Sequence, residues 1–184
     1  MKDPTATPAS AYDMTAGDDA PERRTLAIMV DNEPGVLARV VGLFSARGYN
    51  IESLTVAEVD ASRHRSRITV VTSGTPDTLV QIEAQLLRLV PVGRVIDITK
   101  SKRGIERELA LIKVASTGEK RIEALRLCDI FRAKVIDTTL ESFVFELTGG
   151  SDKIDNFIDL MRPLGLVEVS RTGVLSIQRG KAKG

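Results

Sequence analysis

Apolar residues occur in short blocks of two different periods, and the blocks follow the same order twice along the chain. Leu26 to Val30 is an apolar run suited to a central strand. It stops at Asp31-Asn32, and Pro34 supplies the fixed φ of a helix's first turn. Leu37, Val40, Val41 and Phe44 then recur at helical spacing, with Arg39 and Arg47 on the other side and Gly48 as a left-handed C-terminal cap. Ile51 to Val59 is rich in β-branched residues and predicts a strand, which the polar connection 60–66 turns back into a hairpin partner, Arg67 to Ser73. Thr75-Pro76-Asp77 opens a second helix with a cap, a first-turn proline and an acid. Its apolar face is Leu79, Ile82, Leu86 and Leu89; Pro91 ends it, and Val92 to Thr99 is the closing strand.

The charged stretch 100–107, which includes Gly104, reads as a linker, and the same order then begins again. Leu109 to Ala115 is a strand, and Glu119 to Phe131 a helix with Ile122, Leu125, Cys128 and Phe131 along one face. Val135 to Thr138 and Phe143 to Thr148 form a hairpin. Ser151 caps a helix that turns Ile154, Phe157, Ile158 and Met161 inward; Pro163 stops it, and Leu166 to Ser170 is the last strand. The pattern predicts an α+β chain of two tandem ferredoxin-like βαββαβ domains, 23–99 and 108–180, each an antiparallel sheet with both helices on one face. The second and fourth strands of such a unit lie at sheet edges, and dimerisation through an edge strand satisfies their unpaired backbone groups. The segment 1–22, polar and without an apolar block, reads as a disordered tail rather than a signal peptide, and 181–184 as a short second tail.

Composition narrows the function. With 26 basic against 25 acidic residues the chain lacks the strong positive field of nonspecific nucleic-acid binders, and the first unit's strands offer no stacking aromatics for RNA. No apolar run approaches the roughly 20 residues of a membrane span. The single cysteine, Cys128, excludes an internal disulfide framework and suits a reducing compartment, so a cytoplasmic location is expected. Cys128 shares a helix face with leucines, which marks a packed thiol rather than a nucleophile, and no zinc-ligand spacing is present. The one histidine, His64, sits in the polar connection among Arg63, Arg65 and Arg67, where it reads as a solvated turn residue. The same arginine cluster has the chemistry to meet phosphate or an acidic surface, although a mobile solvated turn is the favoured account of it. Gly149-Gly150-Ser151 lacks the lysine and spacing of a P-loop.

The most informative constellation is the turn Asn32-Glu33-Pro34-Gly35. A helix start leaves backbone N–H groups unpaired and carries partial positive charge, so it favours an anion such as a carboxylate. Gly35 puts no side chain in the way, and Asn32 has an amide oxygen for an ammonium group or an amide nitrogen for a carboxylate. These are the parts an α-amino acid requires. On physics alone they are also the parts of a tight strand-to-helix turn.

The run Arg24 to Val56, with Asn-Glu-Pro-Gly-Val-Leu-Ala-Arg-Val at 32–40 and Gly-Leu-Phe-Ser-Ala-Arg-Gly-Tyr-Asn-Ile-Glu-Ser-Leu-Thr-Val at 42–56, resembles the regulatory small subunits of acetolactate synthase (acetohydroxyacid synthase). The resemblance continues through Gln81 to Leu86, Ile105 to Leu109, Ile130 to Arg132 and Glu168 to Val174. It implies ACT-type amino-acid-sensing domains and a non-catalytic chain. Such a chain activates a catalytic large subunit that uses thiamine diphosphate, magnesium and FAD to condense pyruvate with a second 2-oxo acid, and imposes feedback inhibition by valine. It further implies a homodimer whose effector site takes Asn32, Gly35, Val36 and Leu37 from one protomer and Asn50 and Ile51 from the other. A small apolar pocket discriminates one methylene by only about 1 to 3 kcal/mol, so leucine and isoleucine stay open beside valine. In the second unit Thr117-Gly118-Glu119 stands where Asn32 to Gly35 sit in the first, so no second effector site is expected there, and that unit is assigned to assembly with the catalytic subunit. The alternative is a stand-alone tandem-ACT regulator of another protein.

Overall fold

The structure is a computed structural model that describes residues 20–100 and 104–180. The tail residues 1–19 and 181–184, and linker residues 101–103, lie outside the described residues. The first unit runs β1 (Glu22–Asp31), α1 (Val36–Ala46), β2 (Ser53–Asp60), β3 (Arg65–Gly74), α2 (Pro76–Leu86) and β4 (Val92–Asp97). Its four strands lie in the order β2-β3-β1-β4, all antiparallel, so β2 and β4 are the edges. Alternation along the strands sends Leu26, Ile28 and Val30 of β1 and Ile68 and Val70 of β3 to the helix side. Val36, Val40 and Phe44 of α1 and Leu79, Ile82 and Leu86 of α2 meet them there. Fully burying each of these side chains contributes about 1.5 to 3 kcal/mol, which far exceeds what propensity gives an 11-residue helix.

The second unit repeats the plan with β5 (Gly104–Ala115), α3 (Gly118–Phe131), β6 (Lys134–Thr138), β7 (Ser142–Gly149), α4 (Ser151–Met161) and β8 (Leu166–Arg171), in the order β6-β7-β5-β8. Its core joins Ile112 and Val114 of β5, Phe145 and Leu147 of β7, and Ile154, Phe157 and Met161 of α4. Phe157 meets the Phe145 ring edge-on at 6.0 Å and the Phe131 ring at 5.2 Å.

Several expectations are corrected. Pro34 precedes the first helix instead of opening it: α1 begins at Val36, because Gly35 takes φ +82° and turns the chain before the helix starts. Ser151 is the first residue of α4, not its cap; Gly150 holds that position, and the Ser151 hydroxyl donates instead to Glu108 of β5. On α3 the inward face is Ala124 and Cys128, with Phe131 and Leu127 partly buried, whereas Ile122 and Leu125 are 47% and 37% exposed. Residues 104–107 of the expected linker are strand: they open β5 and pair with a further strand, β9 (Leu175–Gln178), which the hydrophobic pattern did not reveal. Glu22, the last residue of the expected N-terminal tail, is the first of β1.

The ribbon of β5 and β9 joins the two units. It crosses the face of the first sheet that α1 and α2 leave bare: the Val174 N–H donates to Ser53 Oγ at 2.9 Å, and Thr55 Oγ1 donates to the Val174 carbonyl at 3.2 Å. Thr25, Ala27, Thr69, Val71 and Ile98 of the first unit are buried, as is Val174. Gly173 makes the approach possible. A Cβ there would lie 2.6 Å from Ser53 Oγ, and its φ of +79° is one that side-chain-bearing residues rarely adopt. At the rim Arg23 pairs with Glu52 at 3.2 Å and with Glu106 of β5 at 3.6 Å.

Candidate functional site

The chain leaves β1 at Asp31 and turns through four exposed residues, Asn32 to Gly35, before α1 begins. Three backbone hydrogen bonds fix this turn. Asp31 N–H donates to the Pro91 carbonyl at 2.9 Å, Asn32 N–H to the His64 carbonyl at 2.6 Å, and Glu33 N–H to the Asp31 carbonyl at 2.9 Å. His64 thus braces the turn through its main chain. It sits at φ 48° after a 3-10 turn of Ala61–Arg63, and this contact is not legible from residue types because every residue carries a carbonyl.

The start of α1 is electrostatically bare. No side chain caps it, and its first turn has no acidic residue. The other α-helices each carry an acid there: Asp77 in α2, Glu119 in α3 and Asp152 in α4. Val36 N–H is used by the Glu33 carbonyl at 3.2 Å, but the N–H groups of Leu37 and Ala38 have no backbone acceptor among the described residues. An anion placed at such a terminus gains about 0.3 to 1 kcal/mol, and up to about 2 when partly buried. Glu33 and Arg39 form a 3.9 Å pair beside the turn, both roughly half exposed, which leaves the terminus positive.

The six sequence-predicted site residues divide into two groups. Asn32, Gly35 and Leu37 are exposed around the helix start, Leu37 at 39%. Val36 is 6% exposed and its side chain belongs to the protomer's own core, so that side chain is not open to the turn as a pocket wall. Asn50 and Ile51 lie at the opposite end of the sheet. Asp31 shares a row with Arg65 and Asp60, whereas Ser53, two residues after Ile51, shares a row with Val71 and Thr25. Six residues of strand separate those rows, roughly 20 Å. Asn50 is exposed, and its carbonyl accepts from Thr72 Oγ1 at 2.6 Å, which anchors the backbone and leaves the side-chain amide outward. Ile51 packs partly against the first core.

One protomer therefore does not bring Asn50 to Asn32; antiparallel pairing of two β2 edges would. If two β2 strands pair antiparallel, the Ser53 end of one meets the Asp60 end of the other, the end at which Asn32 and Gly35 stand. Leu37 and Ile51 then supply apolar walls from two chains.

Elsewhere the chemistry is structural. Cys128 is 3% exposed, its Sγ donates to the Ala133 carbonyl at 3.2 Å, and burial together with the neighbouring Asp129 pushes its pKa up. Among the described residues no cluster of three histidine, cysteine or acidic side chains is arranged for a metal, and no helix is long and apolar enough to cross a membrane. A cleft of 460 Å³ between the units is lined by ion pairs that complete one another. Glu108, 5% exposed at its side chain, accepts from Arg171 at 2.6 Å, and Arg171 reaches Asp155 as well. Burial works against the Arg171 charge, but the hydrogen bonds to Glu108 and Asp155 outweigh it and raise its pKa.

Comparison with known proteins identifies the architecture. The family model for the small subunit of acetolactate synthase matches residues 107–180, and that for the AHAS small subunit-like ACT domain matches 26–94. The acetolactate synthase isozyme 3 small subunit of Escherichia coli is 45% identical over 159 residues, covering 86% of this chain and 96% of the relative. The acetolactate synthase small subunit of Haemophilus influenzae is 44% identical over 160 residues, covering 86% and 97%. The crystal structure of the acetolactate synthase small subunit from Thermotoga maritima superimposes with a TM-score of 0.78 at 36% identity, covering 88% of this chain and 99% of that one. With two βαββαβ units and matches along most of its length, the chain belongs to the family of acetolactate synthase small subunits, the regulatory subunits of that enzyme.

Proposed function

We propose that this chain is a homodimeric cytoplasmic regulator that activates the thiamine-diphosphate-, magnesium- and FAD-dependent catalytic subunit and imposes feedback inhibition by valine. The observation that carries the reading is the bare start of α1, which alone among the four α-helices has neither a capping side chain nor a first-turn acid. It is a seat for the effector's carboxylate, with the Asn32 amide beside it and the Asn50 amide of the partner protomer within reach of the ammonium group. Leu37 and Ile51 enclose the branched side chain. Since the site spans two chains, binding biases how they pack, and the catalytic subunit senses that packing. The second unit, whose equivalent helix already carries Glu119, contributes to assembly with the catalytic subunit.

The test is Gly35→Asp in the reconstituted holoenzyme. The new carboxylate occupies the anion seat and repels the effector's own, while the core and the second unit are untouched. Inhibition by valine is expected to be lost, with activation of the catalytic subunit retained. Full inhibition in the variant sinks the site assignment; loss of activation as well assigns Gly35 to assembly instead.

A further inference from the structure

The face of the first sheet turned away from α1 and α2 is covered at one end only. There the β5–β9 ribbon buries Thr25, Thr69 and Val71. The other end is open and holds a cleft of 520 Å³ whose walls include Met29, Asp31, Arg65, Arg94 and Ile96. Arg94 of β4 and Arg67 of β3 stand in register on either side of Met29, so their Cα atoms are two strand spacings, about 10 Å, apart. Arg65 is one row further, opposite Asp31.

Among the described residues none of these three arginines forms a salt bridge. Asp60, which Arg65 approaches closely enough to help lower its pKa, is already engaged by Ser62 and Arg63. Arg67 is the sharpest anomaly. Its Nε is buried with no acceptor, its one hydrogen bond runs from Nη2 to Ser176 Oγ of β9 at 3.4 Å, and burial without a carboxylate lowers its pKa. Arg24 and Arg171, shielded elsewhere, each meet two carboxylates, and Arg121, whose Nη1 is likewise buried without an acceptor, lies over the Phe143 ring 3.9 Å from its centroid. A buried guanidinium is stable in proteins when an anion faces it, and here no residue supplies one.

We propose that the open end of this face binds a small-molecule dianion with an apolar body, of the phosphate monoester or dicarboxylate class, charged end between Arg65 and Arg94 with Arg67 at the border of the cleft, and apolar end on Met29 and Ile96. Arg65 and Arg94 line the cleft against the one lining carboxylate, Asp31, and Arg67 stands in register beside Met29, so positive charge is in excess there and favours an anion. The site lies on the opposite face of the sheet from α1 and is independent of the amino-acid reading. It communicates with both neighbours: β1 runs from Met29 straight into the Asn32 turn, and Arg67 holds the ribbon through Ser176.

Methionine-methyl NMR tests this on the full chain, which has four methionines. Met29 floors the cleft, whereas Met161 lies in the second core and serves as an internal reference. Titration with phenyl phosphate is expected to displace the Met29 methyl signal saturably and leave Met161 in place. In Arg94→Gln, an exposed position whose change leaves the core intact, the midpoint is expected to rise about tenfold or more, and Arg65→Gln provides a second variant. The uncharged analogue benzyl alcohol is expected to give no saturable displacement. The proposal is overturned by no saturation with phenyl phosphate, by an unchanged midpoint in both variants, or by an equal response to benzyl alcohol. A response to a hexaglutamate peptide without one to phenyl phosphate also overturns it and assigns the face to an acidic protein segment. Valine titrated alongside reports on the other site, so failure of one reading is distinguishable from failure of the other.

Discussion

At Gly35 a single residue meets a geometric and an electrostatic demand together. Its φ of +82° lets the chain turn between strand and helix, and its lack of a side chain leaves the helix start open. The electrostatic half of that role was legible in the sequence; the geometric half was not, because Pro34 suggested an earlier helix start and only the observed dihedral shows where the turn falls. Cys128 shows the opposite relation, since its inert character was legible from the leucines around it. Burial and the Asp129 charge raise its pKa, so the thiolate that alkylating reagents need is scarce at neutral pH. Iodoacetamide at pH 7 is expected to modify native Cys128 at least about 100-fold more slowly than the same thiol in denaturant, followed by intact-protein mass. Raising the pH speeds the native reaction only above the range in which an ordinary thiol ionises. Equal rates in the two states would show that the thiol is not packed as described.

Among elements, the faces of α2 and α4 and the central strands of both units followed from period alone, because residues such as Leu26, Ile28 and Ile82 do nothing but fill a core. The strand β9 escaped for a physical reason. Leu175 and Ile177 are 54% and 60% exposed, and the residues that matter for its docking are Gly173, a backbone conformation, and Val174, one buried side chain. The asymmetry of α3 escaped similarly: Ile122 and Leu125 satisfy helical spacing yet face outward, since the smaller Ala124 and Cys128 take the inward side in the second core. Gly173→Ala is expected to lower stability by about 1 to 3 kcal/mol, from the αL backbone and the contact with Ser53, seen as a lower urea midpoint. Gly42→Ala, mid-helix in α1, exposed and with nothing within 4 Å of the added methyl, is expected to raise it by about 0.5 to 1 kcal/mol. Equal effects from the two substitutions would remove the role given to Gly173.

At the scale of the whole molecule the proposed effector site is the feature that a single chain would leave incomplete. The two groups of site residues stand at opposite ends of the sheet, and this yields a test that no intrachain site would pass. Gly35→Asp and Asn50→Asp each spoil both sites of a homodimer. In a mixed dimer of the two variants both lesions fall in one shared site and the other is wholly native. Mixing the two valine-resistant proteins under conditions of subunit exchange is therefore expected to restore valine binding at up to one site per mixed dimer, measured calorimetrically. No recovery after verified exchange overturns the shared site.

The β5 strand has a further consequence, for how such chains are inherited. Its first four residues, Gly104 to Arg107, pair with β9 in the ribbon that covers the first unit, while Glu108 to Ala115 belong to the second unit's sheet. A genetic crossover that joined the first unit to a second one lacking counterparts of Gly173 and Val174 would graft on a ribbon not shaped to Ser53 and Thr55. The hybrid would leave Thr25, Ala27 and Val71 wet. Recombination at this boundary is thus penalised even where both halves fold, and the two units are constrained to descend as a pair.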